Sequence, residues 1–273
     1  MLPGFFLHLA TIFLPPNDMK VHIFGSLSGT EPIGGRHQTS LAIESNGLLY
    51  WFDAGENCAH AAFCMGLDLF RMRTLCFTHP HFDHIAGLPH LLWILDKLWK
   101  REGRQAHQPL DVFLPTEAFW HKALAFGSFP DPYVFPGQGE VLPHLIQDGV
   151  LFDENLTIEA RRNNHLPPDN NTGKPCSFSF RVRTEGKTVI ISGDVKSFLD
   201  FAPWLEEGCD LLLMETGHHG LQNVCDGLSA YPVKHILFYH HGREIMSNFD
   251  NLSAAYRSKN IVFAKDHSTY DVN

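Results

Sequence analysis

The chain has 273 residues and a formal net charge of −9, from 21 Lys and Arg against 30 Asp and Glu. That length fits one large domain or two small ones, and the negative balance argues against a protein that coats nucleic acid by neutralising phosphates. A hydrophobic content of 44% with 19% charged residues excludes a chain that is disordered throughout.

Eighteen histidines are a heavy load for this length. Histidine is the commonest metal ligand and titrates near neutral pH, so the composition points to metal chemistry. The six cysteines stand at 58, 64, 76, 176, 209 and 225, with no C-x-x-C pair among them. That spacing argues against a zinc knuckle or a thioredoxin motif. In a chain this long and apolar they read as reduced thiols of a cytoplasmic protein.

Residues 1–18 are apolar, but too short for a membrane span, which needs about 20 residues. They carry neither a basic leading segment nor a small-residue cleavage site. They read as an extension, with a single domain over 19–273 and no membrane association. From Met19 the chain runs through short β-rich segments punctuated by glycine: VHIFGSLSG, TSLAIES and GLLYWFDAG, then TLCFTHP ending at a histidine. Apolar residues at 88, 91, 92, 95, 98 and 99 have helical spacing. DVFLP, GVLFD, LTIEARR, SFSFRVR and KTVIISGD read as strands, and FLDFAPWLEEG as a helix. DLLLMET and KHILFYHH read as buried strands, and NIVFAKD as the last strand. Strands mixed with helices, with His and Asp gathered at strand ends, predict a layered α/β fold with a site along one rim.

The strongest signal is the run THPHFDH over residues 78–84. It puts His79, His81, Asp83 and His84 within six residues, directly after an apolar strand. Burying three histidines and a carboxylate there is costly without a partner. A loop at that place can aim His79 and His81 at one cation, and Asp83 and His84 at a second. His165, Asp194 and His240 each end a later apolar run. Taken singly they are ordinary strand-end polar residues. Taken with the first cluster they form a His-rich, carboxylate-containing set suited to a dinuclear hydrolytic site.

These residues, with SLSGT from Ser26, RHQTS from Arg36, FDAG from Phe52, the run THPHFDHIAGLP from Thr78, SGD ending at Asp194 and FYH ending at His240, resemble the metallo-β-lactamase-fold hydrolases. The texture is most similar to the ribonuclease Z and phosphodiesterase branch. The resemblance covers roughly residues 20–270 and implies a four-layer αβ/βα sandwich with the metal site at one edge of two sheets. It implies one metal on His79, His81 and His165, a second on Asp83, His84 and His240, and Asp194 bridging them. Asp53 would support the metal loop from beneath by hydrogen bonding. The branch also implies Asp83 as general base and a further histidine as proton donor. His218 and His219, in METGHHG, are both candidates for that donor.

Two close dications share a water and lower its pKa, giving hydroxide near neutral pH. The expectation is therefore a metal-dependent hydrolase of a phosphodiester. Two divalent ions are implied; zinc suits the His-rich set, while Mn, Fe or Ni use similar ligands. The alternatives are the same fold cleaving a lactone, thioester or β-lactam, or a true tRNA three-prime processing enzyme. Long-armed members of the branch insert a tRNA clamp between the third and fourth motifs. Here Asp194 follows His165 by only 29 positions, already filled by a loop and two strands. With the charge of −9, that makes a small phosphodiester or nucleotide-like substrate the expectation and bulk nucleic acid an unexpected partner. A homodimer is carried by analogy with relatives.

Overall fold

The computed structural model describes residues 19–29, 32–102, 109–129, 134–135, 139–170, 172–184, 186–256 and 260–272. The extension over 1–18 lies outside the described residues. The chain begins with β1 (Lys20–Gly25), β2 (Ser40–Ser45) and β3 (Leu48–Phe52), then α1 (Cys58–Cys64) and β4 (Met72–Cys76). The short α2 (Phe82–Ile85) and the long α3 (Leu88–Glu102) lead to β5 (Leu110–Leu114), α4 (Glu117–Phe126), β6 (Val134–Phe135) and β7 (Gly139–Leu145). The second half runs β8 (Gly149–Asp153), β9 (Thr157–Arg162), β10 (Phe178–Thr184), β11 (Lys187–Ile191), α5 (Ala202–Glu207) and β12 (Cys209–Thr216). It closes with α6 (Leu221–Leu228), β13 (Val233–His241), α7 (Arg243–Ser247), α8 (Phe249–Tyr256), β14 (Ile261–Phe263) and β15 (Ser268–Asp271).

The strands form two mixed sheets. One has the order β15-β1-β2-β3-β4-β5-β7-β6 and the other β14-β13-β12-β11-β10-β9-β8. Strands β3, β4, β5 and β7 pair in parallel, as do β11, β12, β13 and β14. The sequence of β3 shows why both faces of a sheet are covered. Tyr50 and Phe52 point into the core between the sheets, and Leu49 and Trp51 point to the helices behind. Trp51 stacks on Phe24 with ring centroids 4.2 Å apart. The core between the sheets includes Ile23, Ile43, Phe180, Val189, Leu213 and Tyr239. Helices α1, α3 and α4 cover the first sheet through residues such as Leu91, Leu95 and Trp120, and α5 to α8 cover the second through Leu205, Val224 and Phe249. The result is the expected αβ/βα sandwich.

The structure adds β6, β7, β15, α1, α4 and α6 to α8 to the elements read from the sequence, and alters one of those that were read. FLDFAPWLEEG is divided into a 3₁₀ turn over Phe198–Phe201 and α5, because Pro203 suits the first turn of a new helix. NIVFAKD is followed by one more strand, β15, which pairs antiparallel with β1. That strand forms an edge of the first sheet, and just beyond it Val272 donates its N–H to the Met19 carbonyl at 2.9 Å.

At one rim the two sheets are stitched together. His241 N–H donates to Ser26 O at 2.7 Å, Ser28 N–H to His241 O at 3.1 Å, and Phe178 N–H to Thr78 O at 2.8 Å. The carboxyl ends of β3, β4, β11, β12 and β13 open onto this rim, the usual ligand side of parallel strands.

Candidate metal centre

Each polar residue of the rim is delivered by the end of an apolar strand. β3 ends at Phe52, and Asp53 follows with φ 56°. β4 ends at Cys76 and runs into the loop carrying His79 and His81, with Asp83 and His84 in α2. His165 follows β9, Asp194 follows β11, and His240 is the penultimate residue of β13 with φ 51°. Left-handed backbone at two non-glycine residues of one small region is a costly conformation that the surrounding hydrogen bonds must hold.

The side chains converge as two groups around one carboxylate. His79, His81, His165 and Asp194 form one group whose ligand atoms all lie within 4.8 Å of one another, and Asp83, His84 and His240 form another. Asp194 Oδ2 lies 3.7 Å from His79 Nε2 and 3.7 Å from His165 Nε2. Its Oδ1 lies 3.4 Å from His84 Nε2 and 3.4 Å from His240 Nε2. Asp83 Oδ2 completes the second group, 3.2 Å from His240 Nε2 and 3.5 Å from His84 Nε2. His165 Nε2 and His81 Nδ1 face each other at 3.3 Å. Ring nitrogens aimed at a common point in this way suit a cation between them.

Burial makes the same point. His79 Nε2, His84 Nε2, Asp194 Oδ1 and His240 Nδ1 are buried without a hydrogen-bond partner. Buried polar atoms are nearly always satisfied, so four orphans in one cluster require an explanation. The donor set, imidazole with carboxylate, is that of zinc and similar divalent ions. The electrostatics of Asp194, Asp83, His79, His81 and His165 fit too, whereas at His84 burial would lower the pKa but Asp194 and Asp53 hold it well above its ordinary value. Burial would raise the Asp194 carboxyl, yet His240, His84 and His79 hold it well below the usual range. Burial would likewise raise Asp83, but its hydrogen bond from His240 brings it down to about 2. Burial pushes His79 well down, and lowers His165 to about 4 and His81 as well. Ionised carboxylates and neutral imidazoles are the forms that bind metal.

Asp53 lies beneath this cluster. Its Oδ1 accepts from Thr78 N–H at 2.8 Å, and its Oδ2 from Thr78 Oγ1 at 2.8 Å and His84 Nδ1 at 2.7 Å. Gly29 is required by close approach: a Cβ there would meet the Asp83 carboxyl at 2.6 Å. Gly217 is similar, since its Cβ would meet His240 Nδ1 at 2.7 Å.

The two donor candidates separate in space. His218 Nδ1 lies 3.8 Å from Asp194 Oδ2, and the ring stacks on His240 at 5.6 Å with its edge against His165. Its side chain is 42% exposed, so it stands over the cluster and meets solvent. His219 turns away, with Nε2 2.9 Å from Val195 O. Asp194, His218 and His240 also form a third group close enough to share an ion. Sequence reasoning missed Glu215. This wholly buried carboxylate accepts from Gly217 N–H at 2.7 Å and His218 N–H at 3.0 Å. It also lies 3.2 Å from His218 Nδ1 and 3.1 Å from His219 Nε2. Burial would raise Glu215, but the hydrogen bonds from His218 and His219 bring it to about 2. In return its hydrogen bond raises His218 and His219. An acid closing an apolar strand three residues before a histidine pair was the available signal.

His241, beside the candidate ligand, is structural. It is fully buried, with Nε2 donating to Ala264 O at 3.1 Å and Thr216 Oγ1 2.9 Å from Nδ1. All six cysteines are free. In α3, Lys100 pairs with Asp96 and Arg101 with Glu102; residues 103–108 lie outside the described residues. No described helix is long and apolar enough to cross a membrane.

The sequence matches the Metallo-beta-lactamase superfamily over residues 33–226. The chain belongs to that superfamily. Among curated relatives, a ribonuclease Z from Shouchella clausii is 29% identical over 191 residues, covering 68% of this chain and 54% of the relative. The chain thus spans about half the length of that relative. Human tRNase Z, short form, superposes with a TM-score of 0.69 at 18% identity, covering 93% of this chain and 99% of the other. A diphosphatase of the PhnP family does so with 0.65 at 14% identity, covering 92% and 97%. At these identities the structural likenesses show the fold.

Proposed function

We propose that the protein is a dinuclear metal-dependent hydrolase of phosphodiesters. The observation that carries this reading is the Asp194 carboxylate, whose two oxygens face two different histidine sets at 3.4 and 3.7 Å. In this reading His79, His81 and His165 would hold one ion, Asp83, His84 and His240 would hold the second, and Asp194 would serve both. Zinc is the ion we assign from the donor set. Such a pair activates water near neutral pH and polarises a phosphoryl oxygen.

The chain's own residues supply the rest. Asp83, ionised and at the open side of the cluster, accepts the proton of the attacking water. His218 is backed by Glu215, which orients the ring and favours its charged form. His218 gives its own ring proton to the departing oxygen, while the water proton stays on Asp83. An alkoxide leaving phosphorus gains from such a donor.

The names of the relatives support phosphorus chemistry and bring forward tRNA processing as the second reading. Against efficient tRNA processing stand the net charge of −9 and the short interval from His165 to Asp194, which the β10–β11 hairpin occupies. We therefore assign a small phosphodiester or nucleotide-like substrate. The test combines elemental analysis with side-by-side kinetics on bis(4-nitrophenyl) phosphate, a lactone and a precursor tRNA at one stated salt concentration. Metal-dependent turnover of the phosphodiester above the other two is expected. A preference for the lactone moves the protein to carbonyl esters, and efficient tRNA cleavage establishes the second reading.

A further inference from the structure

The loop that carries the candidate ligands also forms one wall of an apolar groove of about 480 Å³. Pro80 and Phe82, which alternate with His79, His81 and Asp83, line it together with Ile85. The opposite wall is α4, through Phe119 and Phe126, with Lys122 as the one charged lining residue among the described residues. Phe82 is 77% exposed and Phe126 82%, more than any other large hydrophobic residue among the described residues. Scattered exposed apolar residues are ordinary, but two phenylalanines lining one concavity beside a reactive site mark a place for a ligand.

We propose that this groove is the subsite for an aromatic arm attached to the substrate phosphorus, a nucleobase or aryl group. The proposal rests on the phosphodiester reading and narrows it to substrates with a ring on one side. Three features favour a small ring over a macromolecule. The groove takes Pro80 and Phe82 from the same short loop that carries His79, His81 and Asp83, so the arm of a phosphate held by that loop has a groove wall next to it in the chain. Its volume falls within the range of small-molecule sites, about 300–1,000 Å³. Phe82 and Phe126 offer faces that stack on a planar ring without reading its edge, which makes recognition tolerant of the base. Lys122 stands one helical turn before Phe126 on α4, so a cation and the ring share a helix face. An anionic group beside the ring meets that charge.

The test measures binding of phenylphosphonate and methylphosphonate to the metal-loaded full chain by titration calorimetry. The two share their metal-seeking group and differ only in the arm. Phenylphosphonate is expected to bind about tenfold tighter, as partial burial of one ring allows. Phe82→Ser and Phe126→Ser alter solvent-facing rings and leave folding intact. Each should cut that ratio at least about threefold, and the double variant should bring it near unity. Equal affinities in the parent chain, or a ratio that survives both substitutions, overturn the proposal. So does light scattering that shows a dimer dispersed by Phe126→Ser with the ratio unchanged, since the groove is then an interface between copies. Phenyl-selective binding without turnover of any phosphodiester defeats the hydrolase reading alone. Turnover without phenyl selectivity defeats the groove alone.

Discussion

Asp53 holds His84 by Nδ1 at 2.7 Å, while Nε2 of the same ring lies 3.4 Å from Asp194. One nitrogen is thereby fixed as a donor and the other is left facing the cluster, which is how a carboxylate sets the tautomer of a ligating histidine. Because Asp53 also takes both hydrogen bonds from Thr78, it couples the end of β3 to the whole metal loop. Asp53→Ala is expected to lower metal affinity by about 10–100-fold. Competition of the variant and the parent against a chromophoric chelator measures this. Unchanged affinity would show that the loop holds its geometry without Asp53.

Metal content should be two ions per chain, falling on removal of Asp194. Asp194→Asn keeps the volume but loses the charge that faces both histidine sets, so the second ion is expected to be lost and the first weakened. Binding to the folded state alone stabilises it by mass action, by about 2.7 kcal/mol at a hundredfold excess over Kd. Zinc should therefore raise the unfolding temperature of the parent by several degrees and that of Asp194→Asn by less. Calorimetry with and without chelator reads the difference. No metal above trace in the purified parent, with a zinc-independent melting point, would refute the dinuclear assignment.

The candidate ligand set was legible because most of its members sit at or just beyond the end of an apolar run, His165 following a polar ARRNN stretch instead. A strand buried on both faces announces itself by continuous hydrophobicity, and the polar residue that stops it is placed at the rim by the fold. β15 was not legible: Ser268–Asp271 is short and polar, and it becomes a strand only because the β1 edge is there to pair with. β7 was hidden by Pro143, which reads as a breaker. Its neighbour β6 pairs only with Gly139 and Glu140, so Pro143 faces an unpaired edge on that side and costs no ladder bond among the described residues. The site's missed residue, Glu215, looked like the polar end of a strand. Only the turn over Gly217 to His219 brings two imidazoles back onto it.

Arg73 in β4 tests a stability argument remote from the chemistry. Its guanidinium is 7% exposed, pairs with Asp111 and with Glu154 at 2.6 Å, and lies over the Phe152 ring at 4.7 Å. Asp111 is itself largely buried. Arg73→Ala leaves that carboxylate with His144 Nε2 at 2.6 Å as its remaining side-chain partner, so the loss should fall short of about 3–5 kcal/mol, the cost of a buried charge left wholly unpaired. Urea denaturation should show a lowered midpoint with an unchanged slope. Arg73→Met together with Asp111→Leu should recover much of the loss, because replacing both partners removes the buried charge.

The proton donor is the last point that substitution can decide. His218 stacks on His240 and keeps one side to solvent, while His219 is tied back to the Val195 carbonyl. If His218 gives a proton to the leaving oxygen, His218→Ala should lower kcat on a phosphodiester by about 10²–10⁴-fold, the usual worth of general acid catalysis. His219→Ala should cost far less. Glu215→Gln keeps the shape of the buried side chain but removes the charge that favours His218⁺, and should fall between the two. The third group of Asp194, His218 and His240 makes one control essential. Metal content must be measured on every variant. A fall in kcat with two ions retained identifies His218 as the donor, whereas loss of an ion in step with activity makes it a ligand. A leaving-group series separates the cases further. With a good leaving group such as 4-nitrophenolate the departing oxygen needs little protonation, so His218→Ala should be least damaging there and most damaging with an alkyl ester. An equal loss across the series would rule out proton donation by this residue.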